Sequence, residues 1–319
     1  MSYSGIYPHT AVSNTHYECG IGAIIRRNQS LYFTTYGPHL AAGSTDKLHV
    51  VDTRDLSLTT FLDYPGGTHA NRYRDHSRRL DLLGAAYLDG QDVIRYLPVA
   101  HSGELQGRIT GSAAHLRDAH KYYYMTMEEG LYEVDFTNID RPSIITLRPD
   151  GNVDTGGGSH NLPGVHGKGL YTGQGVLLFT NNGGGDGGRG VLAEWNGQGD
   201  PKSLESWEIV DKNAQYAEVT SRRGPGSMDP SGAEPIWATG WDDASMFINV
   251  READSARWTK FRLPKASYTH DHPSGWYTEW PRIRDVGLPG GYLMSHHGML
   301  YLVPASFSAS NASGVRPFS

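Results

Sequence analysis

Four stretches of this 319-residue chain gather the residue types that hold sugars, acids or metals. The first runs from Gly67 to Arg79 and carries two His, four Arg and an Asp. Guanidinium forks match a carboxylate bidentately, so His69, Asn71 and Arg72 are candidates to hold an acidic sugar. The competing reading is a solvated crossover whose Arg and Asp side chains pair with one another. The second stretch, His166 to Gly175, precedes Asn181, Asn182 and a glycine run from Gly183 to Gly188 broken only by Asp186. Glycine leaves room beside each side chain, so His166, Lys168 and Tyr171 can face an open cleft, with His166 or Tyr171 as an acid–base group. The glycines read equally as tight strand turns, and none of them leads into the Lys-Ser or Lys-Thr of a phosphate-cradling loop.

The third stretch holds Tyr268 to His272 and then Trp276 to Arg284. Strand alternation puts His270 and His272 on one face, but no third ligand follows from the spacing, so no metal site is assigned. Trp276 and Tyr277 offer flat faces to sugar rings, and Arg282 and Arg284 can pair with a uronate. Packing of Trp276 and Trp280 between sheets is the alternative. The fourth is His296-His297-Gly298-Met299, at a hairpin turn, and His160 and Asp242 stand as isolated polar residues. There is no Gly-x-Ser-x-Gly elbow, and the single cysteine, Cys19, rules out an internal disulfide or a cysteine-based zinc site within one chain.

The elements that must carry these stretches are strands. Forty Gly, 17 Pro, 19 Tyr and 7 Trp against 19% charged residues describe many short strands and tight turns. Strand-like segments are Ile21–Ile25, Leu31–Thr35, Leu48–Asp52, Leu83–Leu88, Tyr122–Met127, Gly130–Asp135, Gly175–Thr180, Val191–Trp195, Trp207–Val210, Ile236–Gly240, Ser245–Val250, Trp258–Arg262, Tyr292–Ser295 and Met299–Val303. A unit repeats among them. Gly190–Trp195 leads to Trp207–Val210, Ser245–Val250 to Trp258–Phe261, and Leu131–Asp135 to Ile144–Leu147, each reading as the third and outer strands of a four-stranded blade.

The sequence is therefore expected to form an all-β propeller of four-stranded antiparallel blades, a single domain over residues 1–319, with a large sandwich as the other architecture. Counting gives about five complete blades and the start of another near Tyr292 to Val303, so an incomplete ring with missing C-terminal sequence is expected. Helix is confined to a turn or two within Gly103 to His120. The polar stretches are expected in connections, where loops on a rigid scaffold hold function.

A net charge of −6 supplies no positive field for nucleic acid, and apolar runs such as Val176 to Phe179 are far below the roughly 20 residues of a membrane helix. Neither partner is expected. Residues Met1 to His16 show no basic start or apolar stretch of a secretory signal.

Gly-Thr-His-Ala-Asn-Arg (67–72), His-Gly-Lys-Gly-Leu-Tyr-Thr-Gly-Gln-Gly (166–175), Ala-Glu-Trp-Asn-Gly (193–197) and Trp-Tyr-Thr-Glu-Trp-Pro-Arg-Ile-Arg (276–284) resemble a group of microbial polysaccharide-degrading propellers. That group includes seven-bladed lyases and rhamnosidases acting on the rhamnose–glucuronate caps of arabinogalactan and gum arabic, with ulvan lyases more distant. The resemblance spans roughly residues 60 to 319. It implies a seven-bladed ring and a longer chain. An acidic plant or algal polysaccharide is the expected partner, and a secreted or periplasmic location is expected.

A lyase would act by β-elimination: Arg or protonated His neutralises the uronate carboxylate and a base removes the acidified C5 proton. His166 or Tyr171 is the candidate base or acid, with His69, Arg72, Arg282 or Arg284 on the carboxylate. Substrate contacts are also assigned to Asn71, Lys168, Trp276 and Tyr277. No cofactor is required, although a calcium or other divalent ion is compatible. A glycosidase on the same linkage would need an acid for the leaving oxygen, for which Glu279 and Asp271 are conceivable. The remaining class is a sugar-binding propeller without catalysis.

Overall fold

The computed structural model describes residues 12, 20–36, 47–64, 72–75, 77–98, 105, 109–127, 130–148, 162, 167–183, 189–221, 234–253, 255–264, 282–284, 291–296, 299–304 and 316–317, with backbone alone at 20–22, 36, 72, 263–264, 282–284, 291–296, 299–304 and 316–317. Within them, strands follow one another in antiparallel sets of four. The first blade holds β1 (Gly20–Arg27), β2 (Ser30–Tyr36), β3 (Leu48–Asp52) and β4 (Leu58–Phe61). The second holds β5 (Arg72–Asp75), β6 (Leu80–Leu83), β7 (Ala86–Leu88) and β8 (Ile94–Tyr96). The third holds β9 (Ile109–Ala114), β10 (Lys121–Thr126), β11 (Leu131–Asp135) and β12 (Ser143–Arg148).

The next two blades share one strand. Strands β13 (Gly167–Gly173), β14 (Val176–Asn181) and β15 (Gly190–Trp195) pair with the first half of β16 (Glu208–Ser221), ending at Gly190 opposite Ala214. From Gln215 onward the same strand pairs with β17 (Ile236–Trp241), which continues to β18 (Ser245–Arg251) and β19 (Trp258–Pro264). The sixth blade is β20 (Arg282–Arg284), β21 (Gly291–His296), β22 (Met299–Pro304) and β23 (Arg316–Pro317). At this step the outer strand of one sheet leads without a break in the strand into the inner strand of the next, a step from blade to blade.

Turn chemistry explains the short hairpins. Gln174 and Gly175 both have positive φ, 51° and 78°, the pair of values a two-residue turn between β13 and β14 needs to match strand twist. Aspartates at strand ends cap the turns that follow them. Asp75 accepts from the Ser77 and Arg78 amides, Asp89 from Gln91 and Val93, and Asp242 from Ala244 and Ser245.

One small sheet cannot bury both of its faces, so the core lies between blades. Tyr73, Tyr87, Tyr122, Tyr124 and Phe136 fill the packing of the first three. Met125, Leu170, Phe179, Trp195 and Trp207 join the third to the fourth, and Tyr171, Tyr216, Val219, Ile236 and Phe247 the fourth to the fifth. The inner strands pack in series, β1 on β5, β5 on β9, β9 on β13, β13 on β16 and β16 on β20. Glycine lets them approach: a Cβ on Gly111 would lie 2.6 Å from that of Leu170, and one on Gly169 would lie 2.6 Å from the Val219 nitrogen.

The expected blades are present, and the three sequence repeats are the third and outer strands β11–β12, β15–β16 and β18–β19. Several expectations need correction. Leu83–Leu88 is not one strand, because Gly84 at φ 59° turns the chain between β6 and β7. Residues 109–114, placed in the helical stretch, form β9, and the helix among the described residues is a single 3-10 turn at Leu204–Ser206. The last blade has four strands where the sequence shows only a start.

Candidate functional site

Each blade has an even number of antiparallel strands, so every inner strand runs in the same direction. Cross-blade contacts agree: Thr172 Oγ1 donates to the Ala114 carbonyl at 2.7 Å, and Tyr171 Oη donates to Ser221 Oγ at 2.5 Å, pairing late residues of β9, β13 and β16. The beginnings of β5, β13 and β20 therefore lie toward one end of the molecule. Arg72 and Arg282 open β5 and β20, Lys168 is the second residue of β13, and Arg284 is the third of β20.

These four residues and Tyr171 were expected in connections, yet all occupy strands. The reason is that an inner strand is made of small and polar residues rather than an apolar alternation. Tyr171 sits in the packing between the fourth and fifth blades, 3% exposed. His69, Asn71, His166, Trp276 and Tyr277, with His270 and His272, lie outside the described residues. Among the described residues no group of three His, Cys, Asp or Glu is arranged to hold a metal ion.

At the opposite end, where β1 and β5 finish, the first two blades enclose a cleft of about 210 Å³ lined by Arg26, Arg27, Asn28, Arg74, Asp75, Arg79 and Asp81. Arg74 grips Asp81 with Nε to Oδ1 at 2.7 Å and Nη2 to Oδ2 at 3.0 Å, and Nη2 also donates to the Arg26 carbonyl at 2.6 Å. Arg27, 9% exposed, donates through Nε to Asp92 at 2.5 Å and through Nη2 to the Asp89 carbonyl at 2.5 Å. Asp75 takes the Tyr122 hydroxyl at 2.7 Å. Burial pushes the Asp75 pKa up, but the bonds from Ser77, Tyr122 and the backbone outweigh it and hold the group below its ordinary value. In the sequence Arg74 and Arg79 stand out only as part of a run, and Arg26-Arg27 does not stand out at all. The available signal was two Arg-rich segments that both end the first strand of a blade.

No protein-family model and no curated protein matches the chain. Solved structures do resemble it in fold. The RRP9 WD40 repeats superpose with TM-score 0.55 at 10% identity, covering 96% of this chain and 81% of that one. The Cps50 (Swd1) β-propeller domain from Myceliophteria thermophila does so with TM-score 0.50 at 10% identity, covering 95% and 89%. The apo AztD structure from Citrobacter koseri scores 0.43 at 15% identity, covering 94% and 71%. At such identities the likeness to the first two is one of fold alone: the chain is a β-propeller.

Proposed function

We propose that this propeller holds an acidic polysaccharide at the end where its inner strands begin, and cleaves it beside a uronate by β-elimination. The observation that carries the reading is topological. Arg72, Lys168 and Arg282, from the second, fourth and sixth blades, stand at or next to the first position of strands entering at one end. Cations from three blades there would pair with a row of carboxylates as a linear glycan crosses.

In the reaction, a cation on the carboxylate stabilises the charge that develops when C5 loses its proton. The base takes that proton, the electron pair forms the C4–C5 double bond, and the bond from C4 to the glycosidic oxygen breaks. The leaving oxygen then takes a proton. His166, the residue before β13, is the preferred base, because the other candidate, Tyr171, is already engaged with Ser221.

That same engagement favours a second reading, a propeller that binds the glycan without cutting it. Incubation with gum arabic or ulvan separates the two. Growth of the ultraviolet absorbance of an unsaturated uronate marks the lyase, free rhamnose without it marks a hydrolase, and retention of the glycan without either product marks a binding module. Alanine at Arg72, Lys168 or Arg282 is expected to weaken glycan retention. Failure to retain any acidic glycan would overturn both readings.

A further inference from the structure

The cleft between the first and second blades is a separate anion site, and from its charge balance we infer that it takes a dianionic tetrahedral oxyanion, either inorganic phosphate or a phosphate monoester. This does not rest on the saccharide reading. It concerns the other end of the molecule and residues with no part in that reading.

Charge is the first argument. Arg27 and Arg74 are balanced by Asp81 and Asp92, through the contacts of Arg27 with both carboxylates and the grip of Arg74 on Asp81. Asp75 is occupied by Tyr122, Ser77 and the amides of the turn. Among the described residues, no carboxylate pairs with Arg26 or Arg79, and the four arginines of the lining exceed its two aspartates, Asp75 and Asp81, by two. A dianion matches that excess.

Donor geometry is the second. The Nε and Nη2 of Arg74 are spent on Asp81 and the Arg26 carbonyl, so the guanidinium is held in place at the cleft, and among the described residues nothing takes its Nη1. A fixed Arg74 with Arg26 and Arg79 beside it gives three directions of N–H approach. That suits an anion with three or more free oxygens better than a planar carboxylate, which one fork can satisfy. Arg79 itself is held at φ 54°, a left-handed conformation uncommon for a residue with a side chain and often found where a ligand clamp is built.

Size is the third. At about 210 Å³ the cleft is below the roughly 300–1,000 Å³ that encloses a drug-sized molecule, so it suits one small group and not a polymer.

Isothermal titration of the whole chain with inorganic phosphate, glucose 6-phosphate, sulfate and glucuronate tests the assignment. Saturable phosphate binding is expected at low ionic strength, weakening as salt rises and as pH falls below about 7 for inorganic phosphate and below about 6 for a monoester, where each loses its second charge. Glucose 6-phosphate binding as well as phosphate would identify an open monoester site, and phosphate alone a free-anion site. Arg26→Ala and Arg79→Ala are each expected to weaken binding about tenfold or more. Arg54→Ala, which removes an exposed partner of Asp52 in the turn after β3, is the control expected to change nothing. Both cleft arginines are exposed, so these variants are expected to fold, and an unchanged urea midpoint checks that. No saturable phosphate binding by the unaltered chain, equal binding of glucuronate, or full binding by both cleft variants would overturn the proposal.

Discussion

Arg251 and Glu194 clasp each other across the boundary between the fourth and fifth blades, Nε to Oε1 at 2.9 Å and Nη2 to Oε2 at 3.0 Å, with side chains 7% and 8% exposed. Trp258 Nε1 donates to the same Oε1 at 2.5 Å, and Gln174 takes the remaining Nη1 of Arg251. Strands β15 and β18 share no backbone ladder, so this cluster adds a side-chain clasp to the joint that the shared strand β16 and the apolar packing already make. Glu194→Ala strands a buried guanidinium and is expected to cost about 3–5 kcal/mol in urea unfolding. The double change Glu194→Leu with Arg251→Met removes both charges and is expected to recover most of that loss. A single variant as stable as the parent would show that the pair does not join the blades.

Glycine at the inner strands is a packing requirement. A methyl at Gly169 would stand 2.6 Å from the Val219 nitrogen and 2.6 Å from Thr180 Oγ1, and backbone cannot rotate away as a side chain can. Gly169→Ala is expected to lower stability by about 1–3 kcal/mol. Gly90→Ala, whose new methyl would meet only the Arg79 Cβ at 4.0 Å, is expected to stay within about 0.5 kcal/mol of the parent. Equal thermal unfolding of the two variants would refute the account.

The same packing explains how much of the fold the sequence displayed. Strands such as Ile236–Trp241 and Ser245–Arg251 lie in the middle of a blade, buried throughout, and their apolar runs are visible in the chain. The inner strands Arg72–Asp75, Ile109–Ala114, Gly167–Gly173 and Arg282–Arg284 must pass close to their neighbours or carry polar groups. They contain Gly, Ser and Arg, a composition that reads as loop or helix. The Arg cleft stayed hidden for a related reason. Arg27 and Arg74 are separated by most of a blade in sequence, and only the step from β4 to β5 makes them neighbours.

Among the described residues, two histidines bear on the acid response. Burial lowers the pKa of His49, which bonds Thr60 Oγ1 at 2.9 Å, and of His115, where burial prevails over the opposing pull of Glu133 at 3.1 Å. In the unfolded chain both titrate near 6.5. As pH falls below that value, the unfolded state gains protons that the folded state resists, so stability falls with acidification until the folded pKa values are reached. A second loss belongs at lower pH. At Asp89, Asp211 and Asp242, burial acts upward, but hydrogen bonds from Arg95, Lys260 and Arg262 and from nearby amides outweigh it and leave the pKa below 3.8. Urea unfolding across this range should therefore show two limbs. The pair His49→Gln and His115→Gln should flatten the upper one and leave the lower in place, and an unchanged upper limb would assign it to other groups.

Tyr171 separates a structural hydroxyl from a catalytic one. Its oxygen meets Ser221 Oγ at 2.5 Å, in packing shared with Leu178, Val219 and Ile236. Removing the hydroxyl leaves Ser221 without that partner in a dry site, so Tyr171→Phe is expected to cost about 0.5–1.5 kcal/mol of stability. Glycan retention, and any elimination measured by ultraviolet absorbance, should be unchanged apart from that loss, because the ring is retained and the phenol is enclosed. An acid–base role predicts the reverse, a turnover reduced by about a hundredfold or more with unfolding unaltered. The two outcomes do not overlap, so one variant measured both ways decides whether proton transfer belongs to Tyr171 or must be sought at His166.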